Sequence, residues 1–371
     1  MSVESSPAPA TAEGQPARSH RVVRLLRRPE LGALSGTLLI ILFFAAFAGD
    51  TGLFTSRGLI NVLQISAELG ILAVAVALLM IGGEFDLSIG SMVGFAVIIV
   101  GLGAAQFHLP IELTVLVAFG FAVLIGYING LLVIRTGLPS FIVTLAALFI
   151  LRGLTIAITR AVTGRTQVPY ITADLEGHWV VGLFAGTAFQ GMFRWFAEVD
   201  LIATRPDGLP AVAGIPASVL WWLGLTAIAT WVLLNTRFGN WVFASGGDPN
   251  AARNVGVPVA RVKIILFILT AMAATLFATI QVLSVGSADT LRGTLKEFEA
   301  IIAAVIGGCL LTGGYGSAIG AGFGALIFGF VQMGIFYTGI DTDWFKVFLG
   351  AMVLIAVLFN NYVRQKATSA R

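Results

Sequence analysis

Long apolar runs separated by short polar stretches dominate the chain. Ten such runs follow a polar N-terminal stretch, and each can cross, or nearly cross, a hydrocarbon layer of about 30 Å as a helix. The runs cover residues 31–48, 58–82, 87–106, 111–134, 138–158, 215–234, 264–285, 298–312, 317–338 and 344–361. This pattern predicts an all-α, polytopic membrane helical bundle of about ten transmembrane helices within residues 31–362.

The first run has two interpretations. Ala46-Phe47-Ala48 resembles a signal-peptide cleavage site, but the length of residues 31–48 favours a first span that is retained. Residues 1–30 are rich in Ala, Pro and Ser and then become basic, which predicts a disordered cytoplasmic tail. Residues 363–371 are also basic and predict a second cytoplasmic tail, so both termini are expected inside.

Composition excludes a soluble globule, because 57% of the residues are hydrophobic and only 11% are charged. The net charge of +3 does not indicate nucleic-acid binding, since the cations lie at the ends of apolar runs and act as topology signals. Cys309 is the single cysteine, so no intrachain disulfide can form. The three histidines lie far apart with no metal-ligand spacing, and we predict neither a metal site nor a cofactor.

The distribution of cations also predicts which connections lie in the cytoplasm. With an inside N-terminus, the cytoplasmic connections hold Arg135 and the basic segment 237–263. The long connection on the other side of the membrane is then residues 159–214. Its apolar stretch Trp179–Phe193 is short for a span and predicts an interfacial or re-entrant helix.

The segment 237–263 contains a short helix whose two ends are indicated by the sequence. Asp248 can accept hydrogen bonds from the first free N–H groups, Pro249 suits the first helical position, and Gly256 can adopt the left-handed conformation that ends a helix. The body, residues 250–255, is about 10 Å long, and its two alanines make it thin enough to enter a groove on another protein. We expect this helix to receive force from a partner subunit; an ordinary capped loop helix is the alternative. The predicted coupling residues are Asp248, Pro249, Asn250, Ala251, Ala252, Arg253 and Gly256.

Glycine pairs at four-residue spacing predict close packing of helix backbones. The pairs are Gly90/Gly94, Gly126/Gly130, Gly316/Gly320 and Gly320/Gly324. The glycines of residues 82–94 are echoed in residues 307–320, which hints at related halves. In the predicted topology these two stretches have the same orientation, and an inverted repeat of five plus five spans stays an open alternative.

Two carboxylates lie beside glycines where the second and third runs meet, in Gly-Gly-Glu84-Phe85-Asp86-Leu-Ser88. Acidic groups at membrane depth are costly, so they normally face a cavity, a partner or a pathway. Asp86 can also cap the helix that follows, by accepting the N–H of Ser88 or Ile89. We predict that Glu84, Phe85, Asp86 and Ser88 line a translocation path, with capping and packing preferred over substrate contact for Asp86.

Other polar residues within the runs extend this predicted path. Asn61, Gln64 and Glu68 lie about one turn apart and can line one polar stripe on the second span. Lone polar residues within other spans are Asn129, Thr144, Gln281 and Gln332. A hydrogen bond between helices is the ordinary explanation for any one of them. We include the stripe, Asn129 and Thr144 in the predicted path.

Charged residues also gather at the predicted outer start of the eighth run. Glu297 and Glu299 lie near Arg292 and Lys296, and they fit a surface ion network, an outer gate or a docking site for an external partner. Solvated charge is the default expectation. Gly313-Gly314-Tyr315-Gly316 lacks the strand and lysine of a phosphate-binding loop and predicts a tight cytoplasmic turn. No catalytic set is found, so we expect no enzyme activity in this chain.

Five motifs in order resemble a known family. They are Glu84-Phe-Asp-Leu-Ser, Pro139-Ser-Phe-Ile-Val-Thr144-Leu, Arg152-Gly, Ala244-Ser-Gly-Gly-Asp248-Pro-Asn-Ala-Ala with Gly256, and Glu299-Ala-Ile-Ile-Ala-Ala-Val-Ile-Gly-Gly with Gly313-Gly-Tyr-Gly-Ser317. The chain resembles the permease subunit of ribose-type monosaccharide ABC importers over roughly residues 31–362. Two residues depart from the family pattern: Asp248 stands where many members have Asn, and Glu84 stands where Gly is frequent.

The resemblance implies a vitamin B12 importer-like fold, a homodimer or paired permease, two cytoplasmic ATP-binding subunits and a periplasmic sugar-binding protein. It also implies that residues 248–256 are similar to the family's coupling helix and that the chain lies in a bacterial inner membrane. ATP hydrolysis is then expected on the separate subunit. The sequence does not name the sugar, so a pentose, a hexose and a polyol stay open.

Two other classes of function compete with this interpretation. One is a secondary transporter driven by H⁺ or Na⁺, with Glu68 or Asp86 as the coupling carboxylate. The other is a membrane scaffold without transport, which fits poorly with polar residues distributed through the spans.

Overall fold

The structure is a computed structural model that describes residues 29–172, 175, 177–341, 343–352, 354–355 and 358. The two predicted tails lie outside the described residues, apart from residues 29 and 30. The helices are α1 (Pro29–Ala48), α2 (Ser56–Ile81), α3 (Ile89–Ala105), α4 (Ile111–Thr136), α5 (Ser140–Thr163), α6 (Trp179–Ala185), α7 (Gln190–Glu198), α8 (Ala217–Asn235), α9 (Arg237–Gly247), α10 (Pro249–Asn254), α11 (Val259–Val285), α12 (Lys296–Ile306) and α13 (Ala318–Tyr337). Residues 344–352 are also helical.

Within the described residues, seven helices are long and apolar enough to cross a membrane: α1, α2, α4, α5, α8, α11 and α13. The chain is therefore a polytopic helical membrane protein, as the hydrophobic runs predict. Helix α3 has 17 residues, or about 25 Å, which is less than a full bilayer crossing. The predicted span at 298–312 is wrong, because α12 has only 11 residues and ends at Ile306. The predicted last span, 344–361, lies partly outside the described residues.

Helix α2 forms the centre of the bundle. Most of its residues from Ser66 onward are buried, since α8, α11, α12 and α13 pack around it. Helices α4 and α5 instead expose rows of large apolar side chains, such as Leu116 and Phe149. Exposed leucine and phenylalanine at this density are typical of a surface that faces lipid rather than water.

Glycines allow the close helix contacts that their spacing predicts. Gly126 lies against the backbone of α11 at Ile268, and Gly320 lies against the backbone of Gly307. A side chain at either position would overlap main-chain atoms of the neighbouring helix. The bundle is therefore held at backbone-to-backbone distance in these places.

The echo between residues 82–94 and 307–320 corresponds to one local structure that occurs twice. Helix α2 ends with Gly83 at φ +82° and α12 ends with Gly308 at φ +93°. At both ends, three successive N–H groups donate to carbonyls of the last helical turn in the same pattern. A left-handed glycine ends each helix in this way, because it satisfies carbonyls that have no partner within the helix.

The connection between α11 and α12 enters the bundle alongside α3. Strand β4 (Ala288–Asp289) pairs antiparallel with β1 (Gln167–Val168), and Ala288 lies against Gly101 of α3. Further along, Glu297 lies against Gly90, near the other end of α3. Eleven residues of helix separate these contacts, which corresponds to about 16 Å. The predicted eighth span is thus a broken one, in which an extended segment leads to a half-helix.

The segment 159–214 contains two short helices in place of the one predicted over Trp179–Phe193. Helices α6 and α7 are separated by β2 (Thr187–Ala188), which pairs with β3 (Ile215–Pro216), and by Phe189 at φ +61°. Neither helix is long enough to span a bilayer. Helix α6 is anchored on α8, where the Phe184 and Trp221 rings stack with centroids 5.7 Å apart.

Candidate functional site

The predicted short helix is present in the segment 237–263 as α10. Asp248 Oδ1 accepts the N–H groups of Asn250 (2.9 Å) and Ala251 (3.0 Å), and Gly256 has φ +88°. Both ends therefore form as the capping residues predict. Helix α9, which precedes it and is capped by Thr236, was not predicted.

Only one face of α10 is free. Asn250, Ala251 and Arg253 are exposed, and Val255 exposes 80% of its surface just after the helix. Ala252 is buried, so of the two alanines only Ala251 lies on the free face. The free surface of α10 is therefore small, with one cation, Arg253, and one large apolar side chain, Val255.

Three glycine pairs meet where α10 joins the bundle. We call Gly82-Gly83, Gly246-Gly247 and Gly313-Gly314 the glycine junction. The Gly314 N–H donates to the Ile81 carbonyl of α2 over 2.9 Å. A Cβ on Gly246 would overlap the same Ile81 carbonyl oxygen and would lie 2.9 Å from the Gly83 nitrogen. The helix before α10 thus meets the end of α2 main chain to main chain at Gly246.

A buried ion pair links the same two regions. Lys263 of α11 donates to Glu84, which follows the glycine junction, and both side chains are buried. Lys263, the last cation of the basic segment 237–263, therefore lies inside the bundle rather than on its surface. Burial of one charge requires its partner, because an unpaired charge in the interior is strongly destabilising.

Asp86 is held by hydrogen bonds on both carboxylate oxygens. Oδ1 accepts the Ser88 N–H (2.8 Å) and hydroxyl (2.6 Å), and Oδ2 accepts the Thr270 hydroxyl of α11 (2.9 Å). Asn129 of α4 in turn donates to Ser88 Oγ over 3.0 Å. Asp86 therefore caps the start of α3 and joins three helices to one another.

Helix α5 fixes the backbone of the same turn. The Phe85 N–H donates to Ser140 Oγ and the Leu87 N–H donates to Thr144 Oγ1, each over 3.0 Å. Ser140 and Thr144 lie one helical turn apart, which matches the two-residue spacing of the N–H groups on the extended turn. The predicted path residues from Glu84 to Ser88, with Asn129 and Thr144, thus form one buried cluster, which we call the acidic turn.

The other predicted path residues lie elsewhere, toward the opposite end of α2. Asn61 donates to the Tyr337 hydroxyl (3.3 Å), Gln64 donates to Glu68 (3.3 Å), and Gln281 of α11 also donates to Glu68. Glu68 is 13 residues from the end of α2 at Ile81, which is about 20 Å along the helix. The sequence-predicted candidates therefore form two separate sets.

Glu297 and Glu299 are buried, so the expectation of solvated charge is wrong for both. Glu299 accepts from Lys296, and Glu297 Oε1 lies 4.0 Å from Arg152 Nη2 of α5. The second oxygen of Glu297 has no hydrogen-bond partner among the described residues. Buried in this way, neither carboxylate offers a surface to an external protein.

Several residues of these sites were missed or undervalued by sequence reasoning. Arg292 and Lys296 are predicted to lie near Glu297 and Glu299, and Lys296 does pair with Glu299. Their place beside Glu68, with which they line a cavity, is not predicted. In the sequence, Gly246 is indicated only by its place in a family motif. Its contact with Ile81 depends on how the helices pack. A basic residue beside an apolar helix start, as at Lys263, carries no signal of burial by itself.

Comparison with known proteins assigns the chain to a family. A sequence family described as "Branched-chain amino acid transport system / permease component" matches residues 58–357. Relatives include the ribose import permease protein RbsC of Escherichia coli K12, 31% identical over 331 residues, which cover 87% of this chain and 91% of that protein. The fructose import permease protein FrcC of Rhizobium meliloti is 30% identical over 332 residues, covering 89% of this chain and 85% of the relative.

The xylose transport system permease protein XylH of Escherichia coli K12 is 29% identical over 358 residues, which cover 89% of this chain and 91% of that protein. No solved structure matches the chain significantly. The match covers almost all of the described bundle, including α10, the glycine junction and the acidic turn. The chain therefore belongs to the family of transport-system permease components that contains the ribose, xylose and fructose import permeases.

Proposed function

We propose that this chain is the membrane permease subunit of an ATP-driven importer for a monosaccharide or a related polyol, located in a bacterial inner membrane. The family membership and the sugar permeases among its relatives support this function. The single observation that carries it is α10, a capped helix with a free face that is joined to the centre of the bundle by main-chain contacts.

The same proposal includes partner subunits. A pair of permease subunits would bind two cytoplasmic ATP-binding subunits at α10 and would receive the sugar from a periplasmic binding protein. Absence of a phosphate-binding loop from the sequence fits with ATP hydrolysis on the separate subunits. A vitamin B12 importer-like fold and cytoplasmic termini belong to this proposal too.

Movement of α10 would be transmitted to the bundle through rigid main-chain contacts. Side chains can change rotamer, but the Gly246 backbone and the Ile81 carbonyl have no such freedom. A displacement of α10 would therefore move the end of α2 and the turn containing Gly314 with it. Lys263 and Glu84 add a second link from the start of α11 to the same turn. Packed helices shift between discrete arrangements in this way.

The path for the solute would include both sets of polar residues described above. The acidic turn lies on the same side of the bundle as α10, and the polar stripe of α2 lies toward the other side. In the predicted topology these are the inner and outer ends, and we use the two terms in that sense. For Glu297 and Glu299 we propose an outer gate held by ion pairs, since Glu297 faces Arg152 and Glu299 pairs with Lys296. Their burial argues against docking of an external protein.

The test uses the assembled importer in proteoliposomes. We expect Arg253→Glu together with Val255→Asp to abolish ATP-dependent sugar uptake and copurification of the ATP-binding subunit, because both changes lie on the free surface at α10. The double variant should still fold, since neither side chain is packed in the interior. Arg237→Glu is the matched control, because this exposed cation lies at the start of α9 and away from α10.

Unchanged uptake and copurification by the double variant would contradict the proposal. Uptake by the isolated chain under a proton or sodium gradient, without ATP, would instead support secondary transport. In that alternative Asp86 and Glu68 are equal candidates for the coupling group, since both oxygens of each carboxylate already accept hydrogen bonds within the chain. Both residues would then be examined by substitution.

A further inference from the structure

A polar cavity lies at the outer end of α2, between α2, α11, α13 and the start of α12. Its volume is about 270 Å³, and its wall includes Ile65, Glu68, Gln281, Arg292, Lys296 and Gln332. Pockets for drug-sized molecules typically measure about 300–1,000 Å³, so the cavity lies just below that range. Its size suits one solute smaller than a typical drug, such as a monosaccharide, and not an oligosaccharide.

Hydrogen bonds within the chain hold the polar side chains of the cavity wall in position. Gln281 and Gln64 both donate to the Glu68 carboxylate, and Arg292 Nη1 donates to the Gln281 backbone carbonyl over 3.1 Å. Gln332 makes no hydrogen bond with the residues that the structure describes, and it lies between this cavity and a neighbouring one lined by Asn61 and Met333. Glu68, Arg292 and Gln332 thus line one small volume, and the carboxylate, guanidinium and amide groups can each bind a hydroxyl group.

Charges of both signs surround the cavity. Arg292 and Lys296 are cations and Glu68 is an anion, while Lys296 is paired with Glu299 and Arg292 lies near Asp289. No single sign of charge dominates, so the cavity has no strong attraction for an ionised ligand. Ile65, Leu69 and Phe277 complete the wall with apolar surface. A polar rim with an apolar face suits a neutral polyhydroxylated ring, which has hydroxyls at its edge and C–H groups on its faces.

The position of the cavity also argues for a ligand. Charged groups at membrane depth are costly and normally pair, face a cavity or mark a pathway. Arg292 and Lys296 lie on the broken span, which runs beside α3 into the bundle. Discontinuous spans of this kind recur at the substrate sites of membrane transporters.

From these observations we propose that the cavity is the permease's own holding site for one neutral monosaccharide or polyol, with Glu68, Arg292 and Gln332 as its hydroxyl-binding groups. The proposal rests on the proposed function and adds to it, because it gives the permease a site for the solute and excludes sugar acids and amino sugars. An external binding protein would then not be the only component that recognises the solute.

Cysteine labelling tests the site directly. Cys309 is buried, so the natural background with a charged thiol reagent is low. Gln332→Cys should be labelled in the assembled importer reconstituted in nanodiscs. We expect D-ribose, D-xylose or D-fructose, whichever the importer transports, to slow that labelling at least fivefold, while D-glucuronate and D-glucosamine do not. Tyr170→Cys is the control, since this outer side chain is 83% exposed and its labelling should not respond to sugar.

Uptake measurements separate this proposal from the proposed function. Gln332→Leu and Glu68→Gln should each raise the KM of ATP-dependent uptake about tenfold, and Gln332→Asn should restore part of the loss for Gln332. Gln332→Leu removes no hydrogen bond within the chain, so it tests the site without a change in folding. In an importer that transports, sugar-insensitive labelling with unchanged KM would overturn the holding site alone.

Protection by D-glucuronate or D-glucosamine rather than by the neutral sugars would also overturn it. If the wild-type assembly takes up no neutral sugar with ATP, the proposed function fails first and the holding site fails with it. An effect of Gln332→Leu on the maximal rate alone would assign the residue to movement rather than to binding.

Discussion

The two ends of α2 are built in different ways. At the inner end, the glycine junction brings main chain against main chain, and both oxygens of Asp86 accept hydrogen bonds. At the outer end, Glu68 and Gln332 line a cavity of about 270 Å³. Glu68 accepts hydrogen bonds from Gln64 and Gln281, whereas Gln332 makes none with the described residues. One end of the helix has little space in which a side chain could move, and the other has space and one free amide.

This difference indicates which end of α2 can transmit movement and which end can bind a solute. Close-packed regions transmit strain because a small displacement meets resistance at once. A region with volume and unpaired polar groups can accept a solute without first breaking its own contacts. Substitutions at the inner end should therefore cost stability, and substitutions at the outer end should change affinity.

The largest loss of stability is expected at the buried ion pair. Glu84→Gly leaves Lys263 buried without a partner and should destabilise the protein by about 3–5 kcal/mol. Replacing both residues by Met removes both charges and should restore most of that loss. Thermal unfolding of the purified protein in detergent measures the difference. Equal Tm values for the single variant and the wild type would show that the pair contributes nothing at the inner end.

The hydrogen bonds of Asp86 come next. Asp86→Ala leaves the N–H and hydroxyl donors of Ser88 without their acceptor, while the Thr270 hydroxyl can still donate to the Phe267 carbonyl. The change should cost about 3 kcal/mol. Asp86→Asn keeps an oxygen that can accept from Ser88, so its Tm should lie between those of Asp86→Ala and the wild type. If Asp86→Ala instead kept its Tm and lost only affinity for the sugar, the acidic turn would belong with the outer end.

Two adjacent glycines provide a sharper comparison at the junction. Gly246→Ala places a methyl group against the Ile81 carbonyl and should cost about 1–3 kcal/mol and most ATP-dependent uptake. Gly247→Ala meets no atom within 4 Å, so both stability and uptake should be near wild type. Similar behaviour of the two variants would rule out close backbone contact as the link between α10 and α2.

The smallest effect is expected for one hydroxyl of α5. Thr144 and Thr159 are both buried and both donate to the carbonyl four residues earlier. Only Thr144 also accepts the Leu87 N–H, so Thr144→Val should cost about 1 kcal/mol more than Thr159→Val. Denaturant titration of the two variants measures this difference, and a reversed order would remove α5 from the support of the acidic turn.

Local sequence patterns were sufficient to predict much of the structure at the inner end of α2. Asp248, Pro249 and Gly256 predict α10 almost to the residue, because helix caps act over three or four neighbouring positions. Capping by Asp86 follows from the same short-range chemistry. The Gly-Gly echo likewise corresponds to two helix ends with one hydrogen-bond pattern.

The broken span could not be predicted in the same way. Residues 298–312 are apolar enough to suggest a full helix, and hydropathy does not report where a helix stops inside the bundle. The burial of Glu297 and Lys263 also depends on long-range packing, which no local pattern contains. Arg292 and Gln332 become neighbours of Glu68 only because α11, α13 and the extended segment meet around α2.

The Lys263–Glu84 pair has a consequence for anyone who joins parts of two permeases into a chimera. The partners are separated by 179 positions in the chain, so most crossover points between α3 and α10 would take one partner from each parent. If the parent that supplies this region has glycine at the position of Glu84, Lys263 would be buried in the hybrid without a carboxylate partner. Crossovers placed after Val285 inherit both residues from one parent and should yield hybrids that still assemble.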